Sequence, residues 1–323
     1  MKRPFLFLIL GLVVVLVITL LLNRESKTPP DMAAAFTLRV PEVKFMGLLP
    51  LYVADEQGFY REEDIHVEWL PINSPREAGQ LFFAGQADLI MSTFASMLPA
   101  EIRSPGQLTL LVPAYESMNQ PGSYLLVRPD SDVKAASDLK GRSVGTYQGP
   151  SQRAYAVLCM TGLGLTEGRD YQLVEVSSAN QLQAFFGGSF EALFTVETYA
   201  STAILQGAKV IESQLRPRFI QNPFWVGSIA LSKAAVAQQP GLKEALERAM
   251  EKSVRFIAQN ETEARGILVL RMGTDRPVAE RCGLYTWVPH PSEENLRQIQ
   301  ENVDLLVKDG VFEHSIEVAP LFE

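Results

Sequence analysis

The chain has 323 residues, 47% of them hydrophobic, enough for two ordinary α/β domains whose cores need no covalent staples. A formal net charge of −8, with no cluster of Lys or Arg, argues against a nucleic-acid partner. The two cysteines, Cys159 and Cys282, form no CxxC pair; they exclude a disulfide framework and are expected as buried thiols.

The first element is apolar. Lys2 and Arg3 precede an uninterrupted apolar run from Pro4 to Leu22, followed by Asn23 and Arg24. A helix of about 20 such residues spans a bilayer core, whereas a secretory apolar region is shorter, about 7–15 residues. The small-residue site "AAAF" lies well beyond the run, and no cysteine follows that could carry a lipid. The expectation is an uncleaved signal anchor over 1–24, with Lys2 and Arg3 inside and the rest exported. A polar, Pro-containing linker over 25–35 follows.

From Phe36 strands and helices alternate. "FTLRVPEV" reads as a strand, "LPLYVADEQGF" as a helix, and "IHVEWL" as an alternating strand. In "NSPREAGQLFFAGQ", Ser74 is the expected N-cap, with Pro75 at the first helical position and Glu77 three residues after the serine. "ADLIMS", "ASMLPAEIRS" and "LTLLVPA" continue as strand, helix and strand, which implies a mainly parallel sheet. The pattern restarts at "SYLLVRP" and runs as a second α/β unit to "AKVIE". After Pro223, "FWVGSIALS" is a strand and the remainder is mostly helical. Too few strands remain for a third sheet domain, so the tail is expected to return and complete the first. The expected organisation is one lobe from 36–122 and 222–323, a second from 123–221, and two crossings near Gly122 and Asn222. A ligand then lies between the lobes, beyond the carboxyl ends of the strands.

Several motifs carry no chemistry. The glycines of "TGLGLTEG" end a helix instead of following a strand, so they make no dinucleotide fingerprint. His66, His290 and His314 are far apart, with no HExxH, and no GxSxG elbow exists. No metal or cofactor is expected. "REED", Arg61 to Asp64, reads as a solvated turn.

The order of the remaining motifs is informative. Pro50-Leu51-Tyr52-Val53-Ala54, Gly58-Phe59-Tyr60, Val67-Glu68, Gly85 and Asp88 are followed by "SDLKGRSVGTYQGPSQ" and "FEALFTVETYASTAILQGAKVI". Together, from about Phe36 to Leu231, they resemble the solute-binding proteins of ABC importers, in the group for nitrate, alkanesulfonates, taurine and thiamine-pyrimidine precursors. Asp64 stands where that family has a glycine, Thr198 replaces the proline of Glu-Pro-Tyr, and the anchor replaces a cleaved or lipidated leader. The resemblance implies a type II periplasmic-binding-protein fold, with two mainly parallel sheets flanked by helices. It also implies a non-enzymatic monomer, which the expected anchor over 1–24 would hold at the cell membrane with its binding domain on the periplasmic or extracellular side. Its partners would be a small solute and the permease and ATPase subunits of an importer.

Strand ends and motif positions place five loops at the ligand. They supply Lys44, Met46 and Gly47; Ser92, Thr93 and Phe94; Tyr115 and Glu116; Tyr147, Gly149, Ser151 and Arg153; and Glu197 and Tyr199. Trp225, at the return crossing, closes the wall. The turn "QGPSQ" opens a helix, whose free N–H groups and dipole favour an anion by about 0.3–1 kcal/mol. Arg153 adds a bidentate contact suited to a sulfonate or carboxylate. Glu116 and Glu197 suit an amine or a ring N–H instead, and Tyr115, Tyr147, Tyr199 and Phe94 suit a ring. A sulfonate- or nitrate-like anion is favoured. The alternatives are a pyrimidine or amine ligand, or a pyrimidine-forming enzyme on the same fold, for which only Lys44 is a candidate reactive group.

Overall fold

The computed structural model describes residues 35–42, 45–72 and 75–323. The expected anchor, the linker up to residue 34, Lys44 and Ser74 lie outside the described residues. Among the described residues no helix is long and apolar enough to cross a membrane.

Strand β1 (Phe36–Glu42) pairs in parallel with β2 (Ile65–Pro71). Between them a 3-10 turn, Met46–Leu48, runs into α1 (Leu49–Glu56), and α2 (Phe59–Glu62) follows. Pro50 falls in the first turn of α1, where the missing N–H is not needed. Gly58 reverses the chain at φ 78°. Asp64 takes φ 53°, a left-handed conformation that costs a side-chain-bearing residue about 1 kcal/mol and explains why a glycine suits this position. The "REED" turn is not merely solvated. Glu63 receives Arg248 Nε at 2.7 Å and Lys252 Nζ at 2.6 Å, and Glu62 receives Lys252 at 2.9 Å.

Helix α3 (Pro75–Phe83), β3 (Leu89–Thr93), α4 (Phe94–Arg103) and β4 (Leu108–Glu116) follow. Asp88 ties β3 to β1 by accepting from the Arg39 backbone N–H at 2.9 Å and from its guanidinium at 2.6 and 2.9 Å. The chain then crosses to β5 (Ser123–Val127), β6 (Arg142–Tyr147), α5 (Pro150–Gly162), β7 (Tyr171–Val176) and α6 (Gln181–Phe186). It continues through β8 (Ala192–Val196), α7 (Tyr199–Leu205), β9 (Lys209–Ser213) and α8 (Leu215–Phe219). It returns as β10 (Phe224–Ser232), α9 (Lys233–Gln238), α10 (Leu242–Gln259), α11 (Glu261–Met272) and α12 (Arg276–Arg281). The last elements are β11 (Thr286–Trp287) and α13 (Glu293–Lys308).

Beside the β1–β2 pair stand a four-stranded sheet, β11-β4-β10-β3, and a five-stranded sheet, β7-β6-β8-β5-β9. The expectation of mainly parallel sheets needs correction. β10 is antiparallel to both β3 and β4, β11 is antiparallel to β4, and β5 is antiparallel to both β8 and β9. Among the described residues only the strand pairs β1–β2, β6–β7 and β6–β8 are parallel. The strand after each crossing, β5 or β10, enters its sheet in reverse between strands of the other direction, so each converts two neighbour pairings.

The cores follow from strand periodicity. β5 is buried along its whole length: Leu125 and Val127 pack with Val144, Cys159 and Phe194 on one face, while Tyr124 and Leu126 pack with Phe185 and Leu193 on the other. The four-stranded sheet shares a core with α1, α4 and α10, built around Leu51, Phe94, Val112, Trp225, Ile229 and Leu246. Arg271 of α11 lies 4.7 Å from the Tyr52 ring and 4.6 Å from the Trp69 ring and donates to Asp55 at 2.7 Å, fastening α1, β2 and α11 together.

Candidate functional site

Two helix N-termini meet between the two large sheets. β3 ends at Thr93, and α4 begins at once with Phe94. β6 ends at Tyr147, and α5 begins at Pro150 after Gly149, whose φ of 147° and ψ of 140° are open to glycine only. The turn is anchored from below: Gln148 N–H donates to Val176 O at 2.8 Å, and Gln152 Nε2 donates to Thr146 Oγ1 at 3.1 Å. Neither α4 nor α5 has an acidic residue in its first turn or a side-chain cap on its N–H groups. Ser151 Oγ lies 3.0 Å from Ser96 Oγ and 3.4 Å from Thr93 Oγ1, and Thr93 Oγ1 donates to Ser96 Oγ at 2.8 Å. Each N-terminus carries about half a positive charge, so the junction concentrates unmatched positive potential beside three hydroxyls.

Three aromatic side chains form a row. Phe45 packs on Tyr285 with centroids 6.3 Å apart, and Tyr285 packs on Trp287 at 6.1 Å. Burial pushes the phenols of Tyr147 and Tyr285 up, so both remain neutral donors. Gly47 brings its backbone close to Met91, where an added Cβ would stand 2.9 Å from Met91 Cγ.

The expected carboxylates are already engaged. Glu116, fully buried, accepts from Arg216 Nε at 2.6 Å, from Arg216 Nη2 at 3.0 Å and from Ser123 Oγ at 3.1 Å. Burial alone would lower the Arg216 guanidinium, but the Glu116 carboxylate raises it. Glu197 accepts from Ser201 Oγ at 3.0 Å, from Ser201 N–H at 3.2 Å and from Gly283 N–H at 3.4 Å, and burial pushes its carboxyl up. The expected cation is engaged too: Arg153 donates to Glu167 at 2.6 Å and lies 3.6 Å from Glu175. Strand alternation sends Tyr115 to the face of β4 opposite Glu116, where its ring meets Trp225 at 5.0 Å. Trp225, Phe94 and Met46 are core residues with no more than 1% exposure. Ser92, Tyr147, Gly149 and Tyr199 are half-buried.

Sequence reasoning missed Ser96, Arg216 and Tyr285. Ser96 was legible as the third residue of a helix starting at Phe94. Arg216 was not, since its partner is 100 residues away and α8 is only five residues long. Among the described residues no group of three His, Cys, Asp or Glu side chains could hold a metal ion.

Residues 46–264 match the family described as NMT1/THI5 like. No curated protein matches the chain. Among solved structures, the alkanesulfonate-binding protein SsuA from Xanthomonas axonopodis pv. citri bound to MOPS is 17% identical, with a TM-score of 0.69 over 88% of this chain and 97% of that one. The periplasmic nitrate-binding protein NrtA from Synechocystis PCC 6803 is 14% identical, with a TM-score of 0.68 over 88% and 84%. The desulfurization enzyme DSZB is 17% identical, with a TM-score of 0.70 over 88% and 95%.

Proposed function

Because the chain belongs to the NMT1/THI5-like family, we propose that it is a solute-binding protein that captures a small oxyanion, sulfonate- or nitrate-like, and hands it to an ABC importer. The observation that carries the reading is the convergence of two helix N-termini, without first-turn acids, on the hydroxyls of Thr93, Ser96 and Ser151. Such a junction suits an anion and repels a cation. Capture works by closure of two lobes, 36–122 with 222–323 and 123–221, which brings α4 and α5 together around the solute. Export, an N-terminal membrane tether over 1–24, action as a monomer, and a permease with its ATPase as partners complete the proposal.

The protein binds without transforming its ligand. Both cysteines are fully buried, and burial pushes the thiol of Cys282 up to about 11 and that of Cys159 up as well, so neither supplies a thiolate nucleophile. The likeness to DSZB is a likeness of fold.

Calorimetric titration with methanesulfonate, taurine, nitrate, an aminopyrimidine and putrescine tests the reading. Saturable binding of one or more of the anions, with none for putrescine, is expected. Binding of putrescine or the pyrimidine alone would overturn the anion assignment and replace it with a ring or amine ligand.

A further inference from the structure

The two crossings are joined by one buried charge cluster. Glu116 is the last residue of β4, before the chain leaves the four-stranded sheet, and Ser123 opens β5 in the other. Arg216 sits in α8, before the chain returns at Phe224. Arg216 grips Glu116 with two N–H groups, its backbone N–H donates to Ser123 Oγ at 3.0 Å, and Ser123 Oγ donates to Glu116. The guanidinium also covers the Phe224 ring at 4.9 Å. Gly122 is shaped to this cluster: a Cβ there would stand 2.0 Å from Glu116 Oε2. Around it, Met118 N–H donates to Asn222 Oδ1 at 3.4 Å and Gln214 Nε2 donates to Met118 O at 2.9 Å, so the loop after β4 is bound to the segment leading to the second crossing.

We propose that the Glu116–Arg216 pair is the pivot of the molecule, a junction that stays intact while the two sheets swing apart and together. The contrast with the far side of the interface carries this. There the α4–α5 contact rests on the Ser151 hydroxyl, 3.0 Å from that of Ser96 and 3.4 Å from that of Thr93, each able to pair with water or solute instead. At the crossings the contact is a bidentate pair with no more than 3% exposure, and parting it would leave a buried charge unmatched on each side. Motion therefore breaks the hydroxyl contact and keeps the ion pair. Beside the pivot, the Tyr285 phenol is coupled to the Arg216 charge, and its ring packs on Phe45. This proposal rests on the closing motion put forward above.

The test labels the full chain at Arg76→Cys and Ala179→Cys, both exposed and each just beyond the carboxyl end of a strand, while the native cysteines stay buried. Spin-label distances are read without any solute. A single narrow distribution is expected for the parent, and at least a doubling of its width in the Glu116→Leu/Arg216→Met pair, whose apolar side chains leave no charge unmatched and allow folding. Gly122→Ala, which keeps both charges but crowds Glu116 off its partner, is expected to broaden the distribution likewise. Unchanged distributions in both would overturn the pivot and leave the anion-binding reading standing. Failure to bind any anion in calorimetry would overturn that reading and leave the pivot standing.

Discussion

Glu116 and Arg216 are 100 residues apart in the chain and form a salt bridge of 2.6 Å with side-chain exposures of 0% and 3%. A buried pair is costly to break and cheap to replace whole. Glu116→Leu and Arg216→Met should each lower unfolding free energy by about 3–5 kcal/mol, and the Glu116→Leu/Arg216→Met pair by clearly less than the sum. Denaturant unfolding of the four chains checks this. Strictly additive losses would mean that the two residues do not act as a unit.

Glu197 sets a pH dependence of known sign. Burial raises its carboxyl, and the hydrogen bonds from Ser201, Tyr124 and Gly283 only partly offset that. The folded chain therefore holds this proton to higher pH than the unfolded chain, where the group titrates near its ordinary value of about 4.3. Its stabilisation is fully present below that value and is lost as pH rises through the folded one. The stability of the parent relative to Glu197→Gln should fall as pH rises from about 4.3 through the raised folded value, by at most about 1.4 kcal/mol per pH unit. A pH-independent difference between the two chains would show that burial does not raise the group.

Arg153 is expected to be dispensable for the solute, the reverse of what its place in the sequence suggests. Its guanidinium is divided between Glu167 and Glu175 on the edge of the five-stranded sheet and is about half exposed. Arg153→Ala should change anion affinity by less than about twofold and stability by less than about 1 kcal/mol. A tenfold loss of affinity in calorimetry would return Arg153 to the site.

Local signals carry most of the fold. The helices that follow β3 and β6, the turn at Gly58 and the doubly buried "SYLLV" strand are fixed by neighbours a few residues away, so periodicity and punctuation expose them to within a residue or two. Strand direction at β5 and β10 was not legible, because it depends on which sheet the crossing chain enters. The partners of Glu116, Glu197 and Arg153 are hidden from the sequence for a related reason. A charged residue near a strand end looks available until its partner is known, and Arg216, Gly283 and Glu167 come from other elements. Tyr115 and Glu116 are adjacent in sequence yet face opposite sides of β4, which a motif match cannot separate.

Ser151 is the most discriminating position for ligand charge. It lies at the second residue of a 13-residue helix whose first turn contains no acid, within 3.4 Å of two hydroxyls, Thr93 at the end of β3 and Ser96 in α4. Ser151→Asp would supply the anion that both helix ends lack, and a carboxylate there gains about 0.3–1 kcal/mol from the dipole, more where partly buried. The substituted chain should therefore melt higher than the parent when no solute is present. It should also lose anion affinity by tenfold or more, since the carboxylate occupies the oxyanion position and repels the ligand. Ser151→Ala removes one hydroxyl but keeps the backbone N–H groups, so its loss is that of one hydrogen bond, about 0.5–1.5 kcal/mol, or roughly two- to tenfold. The expected affinity order is parent, then alanine, then aspartate, while thermal stability is highest for aspartate. If calorimetry shows aspartate binding the anion as well as the parent does, the helix junction is not where the solute sits. If aspartate instead acquires affinity for putrescine, the junction binds solute but its charge preference lies in the side chains alone.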